Sequence, residues 1–417
     1  MNAEILCVGT ELLLGDVVNT NATFIARGLA ELGVGCYYQS VVGDNATRLE
    51  ESLRLAFSRA DMVITTGGLG PTYDDITKEI VAGYFGREME LHQPSLENIK
   101  AIFERFAPGR SFTKNNEKQA YMPVGATIFE NGRGTAPGLA VEGDGKIAIM
   151  LPGPPGEMKA MFEEKVAPFL QARTDKTLLS RTVHLFGIGE SMAESKLHDA
   201  MIERQNPTIA PYAKLGEVQL RLTASAPNKE EARRLLDPLE REVTALFPEH
   251  VYGVDVGDMQ SALVTLLREK GLTIALCESC TGGMIAARIT EVPGASQVLR
   301  CGVVSYSNES KANLVKVSGQ TLETHGAVSQ ECALEMAQGV RSVSGADIGL
   351  AVTGIAGPGG GTDEKPVGLV FVACVGPWGE KIIELRLSRG YQGERGNIRN
   401  LACLNAMNLV LRQVWAN

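Results

Sequence analysis

The apolar positions of this chain follow two rhythms that take turns. Residues 3–9, Ala-Glu-Ile-Leu-Cys-Val-Gly, form a short and almost continuous apolar run. Such a run fits a strand buried on both faces. A helical spacing follows at 20–32, a second strand at 35–42 and a second helix at 46–59. Asp61-Met-Val-Ile-Thr-Thr66 is a third strand and ends in Gly67-Gly-Leu-Gly70. Strands alternating with helices predict a parallel sheet with helices on both faces, a three-layer α/β domain. Ligands of such sheets lie beyond the carboxyl ends of the strands. Three unusual loops are expected there: Gly9-Thr-Glu11, residues 67–75, and Leu151-Pro-Gly-Pro-Pro-Gly156. The first domain is placed at 1–170.

The polar stretch Gln171-Ala-Arg-Thr-Asp-Lys-Thr177 reads as a linker. A small α+β unit follows at 178–252. It holds a strand at 181–186, a helix at 190–204, strands at 208–213 and 217–225, and a helix at 229–246. Few polar groups converge in it, so a structural or interdomain role is expected. The third domain, 258–417, alternates again. Helices are predicted at 259–270, 283–290, 308–316, 329–343 and 394–415, and strands at 272–278, 301–306, 347–353, 367–375 and 380–387. The last two strands read as a hairpin around Pro377-Trp-Gly379, so this α/β domain has an antiparallel portion.

Composition narrows the function classes. With 417 residues and 44% hydrophobic content, the chain can build more than one core. Its 49 acidic and 40 basic residues give a net charge of −9, which argues against nucleic acid or an anionic membrane as the main partner. No signal peptide and no stretch of transmembrane length is visible, and a cytoplasmic location is expected. The eight cysteines are scattered, several inside apolar runs where they act as small hydrophobes. Cys277 and Cys280 form one Cys-x-x-Cys without the further ligands a structural zinc needs.

The most informative stretch is Cys277-Glu-Ser-Cys-Thr-Gly-Gly283, between a buried-looking strand and an apolar helical run. Ser279 sits at a strand-to-helix turn, beside backbone N–H groups that glycine leaves unshielded. Such a turn can hold a reactive oxygen and bind an oxyanion. Downstream, Lys311 falls in the first turn of a helix, where the dipole disfavours its charge. Partial burial acts in the same direction. A lysine with a lowered pKa can serve as the base for a serine nucleophile. Tyr306, at the preceding strand end, could orient that lysine or relay the proton. The plainer alternative is a capping serine and a solvated lysine. Two further loops support chemistry: the glycine-rich run after Thr353, and residues 390–399 with Arg395 and Arg399 at a helix start. Both suit a phosphate. Together they point to hydrolysis of a phosphorylated small molecule.

At the other end, Gly67, Gly68 and Gly70 follow a strand and leave room for a phosphate. Asp74 and Asp75 open the next helix and can hold a hard cation such as Mg²⁺, with Asp44 from another strand end as a third ligand. The plainer alternative is a pair of N-cap residues.

Glu278-Ser-Cys-Thr-Gly-Gly283, Val304-Ser-Tyr-Ser-Asn-Glu-Ser-Lys311, His325-Gly-Ala-Val-Ser329, Gly354-Ile-Ala-Gly-Pro358 and Lys365-Pro-Val-Gly368 resemble the nicotinamide mononucleotide (NMN) deamidase family. The resemblance implies hydrolysis of NMN to nicotinic acid mononucleotide and ammonia, without a cofactor in this domain. It implies Ser279 as nucleophile, Lys311 as base and Tyr306 as its assistant. Cys280, Thr281, Gly282, Gly283, Thr353, Gly354 and Gly357 would line the substrate site. Arg395 or Arg399 would take the phosphate.

Val8-Gly-Thr-Glu-Leu-Leu-Leu-Gly15, Gly67-Gly-Leu-Gly-Pro-Thr-Tyr-Asp-Asp75, Asn131-Gly-Arg-Gly-Thr-Ala-Pro-Gly138 and Leu151-Pro-Gly-Pro-Pro155 resemble the N-terminal domain of the competence/damage-inducible CinA family. That domain is similar to molybdopterin-binding domains. The middle unit resembles the KH-type unit of the same family. The resemblance implies a metal-dependent pyrophosphatase acting on ADP-ribose. Thr10, Glu11, Gly67, Gly68, Gly70 and Thr72 would meet the substrate. Asp44, Asp74 and Asp75 would hold a divalent metal (Mg²⁺, Mn²⁺ or Co²⁺), with K⁺ as a further ion. A homodimer is expected. The alternatives are a non-catalytic pterin- or nucleotide-binding N-domain, and a DNA-uptake or recombination accessory.

Overall fold

The structure is a computed structural model that describes residues 1–106, 112–173, 177–390 and 393–417. It divides into two compact units, Met1–Ser180 with Ala224–Leu235, and Arg181–Thr223 with Leu236–Asn417. Among the described residues no helix is long and apolar enough to cross a membrane.

The first sheet is built on β1 (Asn2–Val8), β2 (Gly35–Val42), β3 (Met62–Thr66), β4 (Thr127–Phe129), β5 (Gly138–Gly143) and β6 (Lys146–Leu151). Their order is β2-β1-β3-β6-β5-β4. β1 is apolar on both faces, and the reason is visible in its packing. Ala3, Ile5 and Cys7 belong to one core and Leu6 and Val8 to another. α1 (Thr20–Glu31) and α4 (Pro155–Met161) pack into the first core, and α2 (Ala46–Arg59) and α3 (Thr77–Tyr84) into the second. This is the expected three-layer α/β arrangement. The sheet is mixed, however: β2, β1, β3 and β6 are parallel, whereas β5 pairs antiparallel with both β6 and β4. A two-residue turn at Asp144-Gly145, both at positive φ, folds β5 back on β6. Asp-Gly is the usual sequence of such a hairpin turn.

The middle sheet has the order β8-β9-β7-β10, from β7 (Thr177–Phe186), β8 (Thr208–Lys214), β9 (Glu217–Ala226) and β10 (Val251–Val254). β9 alternates buried and half-buried positions without a break, the signature of a sheet with one covered face. α5 (Glu190–Glu203) and α6 (Lys229–Leu246) complete this α+β unit. Positions 174–176 of the expected linker lie outside the described residues.

The last sheet, β12-β11-β13-β14-β15, is formed by β11 (Ile274–Glu278), β12 (Leu299–Val304), β13 (Ile348–Gly354), β14 (Leu369–Gly376) and β15 (Gly379–Arg386). β12, β11 and β13 are parallel, and β14 and β15 form the expected antiparallel hairpin. Alternate residues again feed two cores. Ile274 and Leu276 pack with α7 (Met259–Lys270), α8 (Met284–Thr290) and α11 (Arg395–Ala416). Ala275 and Cys277 pack with α10 (Gln330–Ser344), beside α9 (Asn308–Val315). The carboxyl ends of β11 and β13 therefore deliver Glu278 and Gly354 to one edge, which is where the chemistry gathers.

Candidate active site

At that edge the chain leaves β11 and turns. The Ser279 N–H donates to Val352 O at 3.0 Å, and the Gly282 N–H closes the turn on Ser279 O at 3.1 Å. Gly282 and Gly283 have φ of +62° and +89°. Side chains rarely adopt that region, so glycine is required. The buried Glu278 carboxylate then accepts from the N–H groups of Ile285 at 3.1 Å and Ala286 at 2.9 Å. It caps α8 where the dipole favours an anion. The sequence reading missed this role, because a cap seven and eight residues away depends on the turn in between.

Lys311 comes from α9, whose start is capped by Ser307. It is 1% exposed, so the solvated-lysine alternative fails. Its Nζ lies 3.2 Å from Ser279 Oγ and donates to Ser305 O at 2.7 Å. Ser305 is fully buried and was not foreseen. Desolvation lowers the lysine pKa. The nearby thiols of Cys332, Cys277 and Cys280 oppose this, but burial pushes each of them up to about 11. They are neutral near pH 7, so no anion among them holds the lysine charged. A neutral amine beside a serine hydroxyl can act as a base.

The two cysteines of Cys-x-x-Cys pack in different cores and both are free. Tyr306 is 66% exposed, and among the described residues no hydrogen bond joins it to Lys311. The Ser305 carbonyl does the orienting instead. The buried Thr353 hydroxyl donates to Ala327 O at 2.6 Å. Thr281 is fully buried, and its hydroxyl has no partner among the described residues. Gly354 lacks room for a side chain: a Cβ there would sit 2.6 Å from Val370 and 2.7 Å from Leu369 O. Gly357 has φ of +78° and offers its carbonyl to the Arg395 guanidinium. Arg399 donates to Cys280 O at 3.1 Å and Thr281 O at 2.7 Å. The two arginines thus differ. Arg395 is exposed, whereas Arg399 is half-buried and engaged with the turn. Positions 391 and 392 of this loop lie outside the described residues.

In the first unit, Gly67 and Gly68 have φ of +104° and +67°. A Cβ at either would lie 2.1 Å from Val8 O or Thr77 Oγ1, and one at Gly70 would lie 2.4 Å from Asp75 Oδ2. The loop is wrapped tightly around its own carboxylates. Thr72 donates through N–H and Oγ1 to Asp75 Oδ2, at 2.8 and 2.6 Å, and also touches Asp74. Asp44 instead accepts from Thr10, at 2.9 Å from N–H and 2.8 Å from Oγ1. The expected trio of metal ligands therefore does not assemble. Among the described residues no group of three or more His, Cys, Asp or Glu is placed to hold one ion. The adjacent Asp74 and Asp75 still suit a Mg²⁺ that completes its shell with water and substrate phosphate oxygens.

The buried Lys78 donates to the carbonyls of Lys118, Gln119 and Tyr121, at 3.0, 2.9 and 2.9 Å, and burial pushes its pKa down to about 8. It braces α3, which follows the loop. A cavity of about 340 Å³ opens beyond β1, β3 and β6, lined in part by Val8, Glu11, Asn21, Thr66 and Gly153. Asn21 donates to Thr66 Oγ1 and Gly153 O, while its buried Oδ1 has no partner among the described residues. Neither Lys78 nor Asn21 was singled out from sequence, since each gains meaning from distant backbone.

Three family models match the chain: "Probable molybdopterin binding domain" over residues 4–172, "Damage-inducible protein CinA KH domain" over 180–253, and "CinA C-terminal domain" over 257–414. A "Putative competence-damage inducible protein" of Acetivibrio thermocellus is 50% identical over 414 residues, 99% of each chain. A "CinA-like protein" of Kosmotoga olearia is 48% identical over 414 residues, 99% of this chain and 98% of that one. The solved structure of "competence/damage inducible protein CihA" from Agrobacterium tumefaciens is 40% identical. It covers 38% of this chain and 94% of that one, with a TM-score of 0.36.

Proposed function

The chain belongs to the CinA family, and from that premise we propose that it hydrolyses two pyridine-nucleotide-related substrates at separate sites. The C-terminal site deamidates NMN to nicotinic acid mononucleotide. The observation that carries this reading is the buried contact of Lys311 Nζ with Ser279 Oγ at 3.2 Å. Neutral Lys311 takes the Ser279 proton as Oγ attacks the carboxamide carbon. The oxyanion is held by backbone N–H groups of the Thr281-Gly-Gly283 turn that are not already engaged on Ser279 O. The protonated lysine then gives its proton to the amide nitrogen. The C–N bond breaks, ammonia leaves and an acyl-enzyme remains. Water attacks this ester, passes a proton back through Lys311 and releases the acid. Apart from the attacking water, every step uses the chain's own groups. Arg395, exposed beside the Gly357 loop, is the better phosphate anchor.

The N-terminal unit would hydrolyse ADP-ribose to AMP and ribose 5-phosphate. A divalent ion there would neutralise pyrophosphate charge. Thr10, Glu11 and the 67–72 loop would bind the substrate, and Asp74 with Asp75 would hold the ion. The missing third carboxylate favours a second reading, in which this unit binds a nucleotide or pterin in its cavity without turnover. Incubation of the purified chain with NMN and with ADP-ribose, each with and without EDTA, tests both. Ammonia from NMN in either condition supports the amidase. AMP released only without EDTA supports the pyrophosphatase, and binding without AMP supports the second reading.

A further inference from the structure

The sequence leaves Arg395 and Arg399 interchangeable as phosphate anchors, but their contacts separate them. Arg399 Nε donates to Cys280 O at 3.1 Å and its Nη2 to Thr281 O at 2.7 Å. It thus grips two consecutive peptide planes of the nucleophile turn from one side. The peptide between Cys280 and Thr281 is trans. In a planar trans peptide the N–H points opposite to the C=O. Gripping Cys280 O therefore turns the Thr281 N–H away from the guanidinium. That N–H has no acceptor among the described residues, and those of Cys280 and Gly283 have none on another residue there, whereas those of Ser279 and Gly282 are engaged with Val352 O and Ser279 O. The Gly282 N–H on Ser279 O and the Met284 N–H on Thr281 O, at 3.1 and 3.4 Å, also close the turn, but neither touches the Cys280 carbonyl, and Gly282 and Gly283 have no side chains to brace it. A Cβ at Gly282 would lie 3.5 Å from Arg399 Nη2, so the guanidinium covers this face of the turn.

We propose that Arg399 is a positioning residue for the oxyanion site: by holding the carbonyls of Cys280 and Thr281 it presents the Thr281 N–H to the oxyanion formed at Ser279. This rests on the amidase reading of the same site. The planar fork of arginine is needed, because one group must reach two carbonyls in fixed geometry. A lysine offers a single point and reaches one of them.

Arg399→Lys, with Arg395→Ala alongside, tests the assignment by NMN kinetics. Losing one oxyanion donor lowers kcat by about 10²- to 10³-fold. Arg399→Lys is expected to show a fall of this order with KM nearly unchanged, whereas Arg395→Ala raises KM. Guanidinium ion added to Arg399→Ala should restore part of its kcat. A raised KM with kcat intact in Arg399→Lys makes Arg399 a phosphate ligand and overturns the proposal, as does an unchanged variant. A second readout is independent of the substrate: the rate at which a serine-reactive fluorophosphonate labels Ser279. Labelling slowed in Arg399→Lys, with the melting temperature preserved, supports the proposal even if wild-type chain leaves NMN intact, an outcome that sinks the amidase reading alone. Labelling at the wild-type rate contradicts it.

Discussion

At the level of single residues, the account rests on a serine and a lysine that meet although 32 positions apart. Ser279→Ala should abolish ammonia release from NMN. Lys311→Ala should lower kcat by about 10²- to 10⁴-fold, the range for a general base, and a change confined to KM would make the lysine a binding group. The base works unprotonated, and burial holds its pKa below the ordinary lysine value of 10.5. Activity is therefore lost as pH falls through that lowered value. It should rise with pH and level off before 10.5, and a profile of kcat/KM still climbing there contradicts the buried-base assignment. Both residues were legible in the sequence, since a serine after a buried strand and a lysine after a capping serine are local signals. Ser305 was not, because it acts through a backbone carbonyl. Nor was the division between Arg395 and Arg399, which depends on which carbonyls a folded turn turns outward.

Elements of secondary structure explain why these residues stay in place. α8 starts on a glycine with positive φ and is capped from β11 by Glu278. Hydrogen bonds to a charged group contribute about 1.5–3 kcal/mol. Glu278→Ala should destabilise the C-terminal unit by about that much in denaturant titration, and Glu278→Gln, which keeps one acceptor oxygen, by less. Equal stability of all three proteins would remove the cap from the account. In the other unit, Gly68→Ala places a Cβ 2.1 Å from Thr77 Oγ1 at φ of +67°. It should cost about 1–3 kcal/mol of local strain, read as a lowered melting transition and loss of ligand binding by that unit. Long periodic strands and helices were readable because one repeat decides each. The mixed character of the first sheet was missed, although Asp144-Gly145 carried the hairpin signal. A helix of 319–324 also escaped, being too short to show a period.

For the whole molecule, the chemistry divides between two units with different requirements. The Ser279–Lys311 site uses no metal in the proposed mechanism, whereas Asp74 and Asp75 would need one. EDTA should therefore stop release of AMP from ADP-ribose and leave NMN deamidation unaffected, and equal inhibition of both would place a metal where the account has none. The general plan was visible in the sequence, because strands, helices and glycine turns come in an order that builds sheets with active edges. The three carboxylates expected to share an ion have separate partners: Asp44 is engaged by Thr10, and Asp74 and Asp75 by Thr72. The most direct measurement of the central claim is ammonia release from NMN by wild-type and Ser279→Ala protein, both in EDTA. The account predicts steady release by the wild type and none by the variant; release by the variant, or none by either, contradicts it.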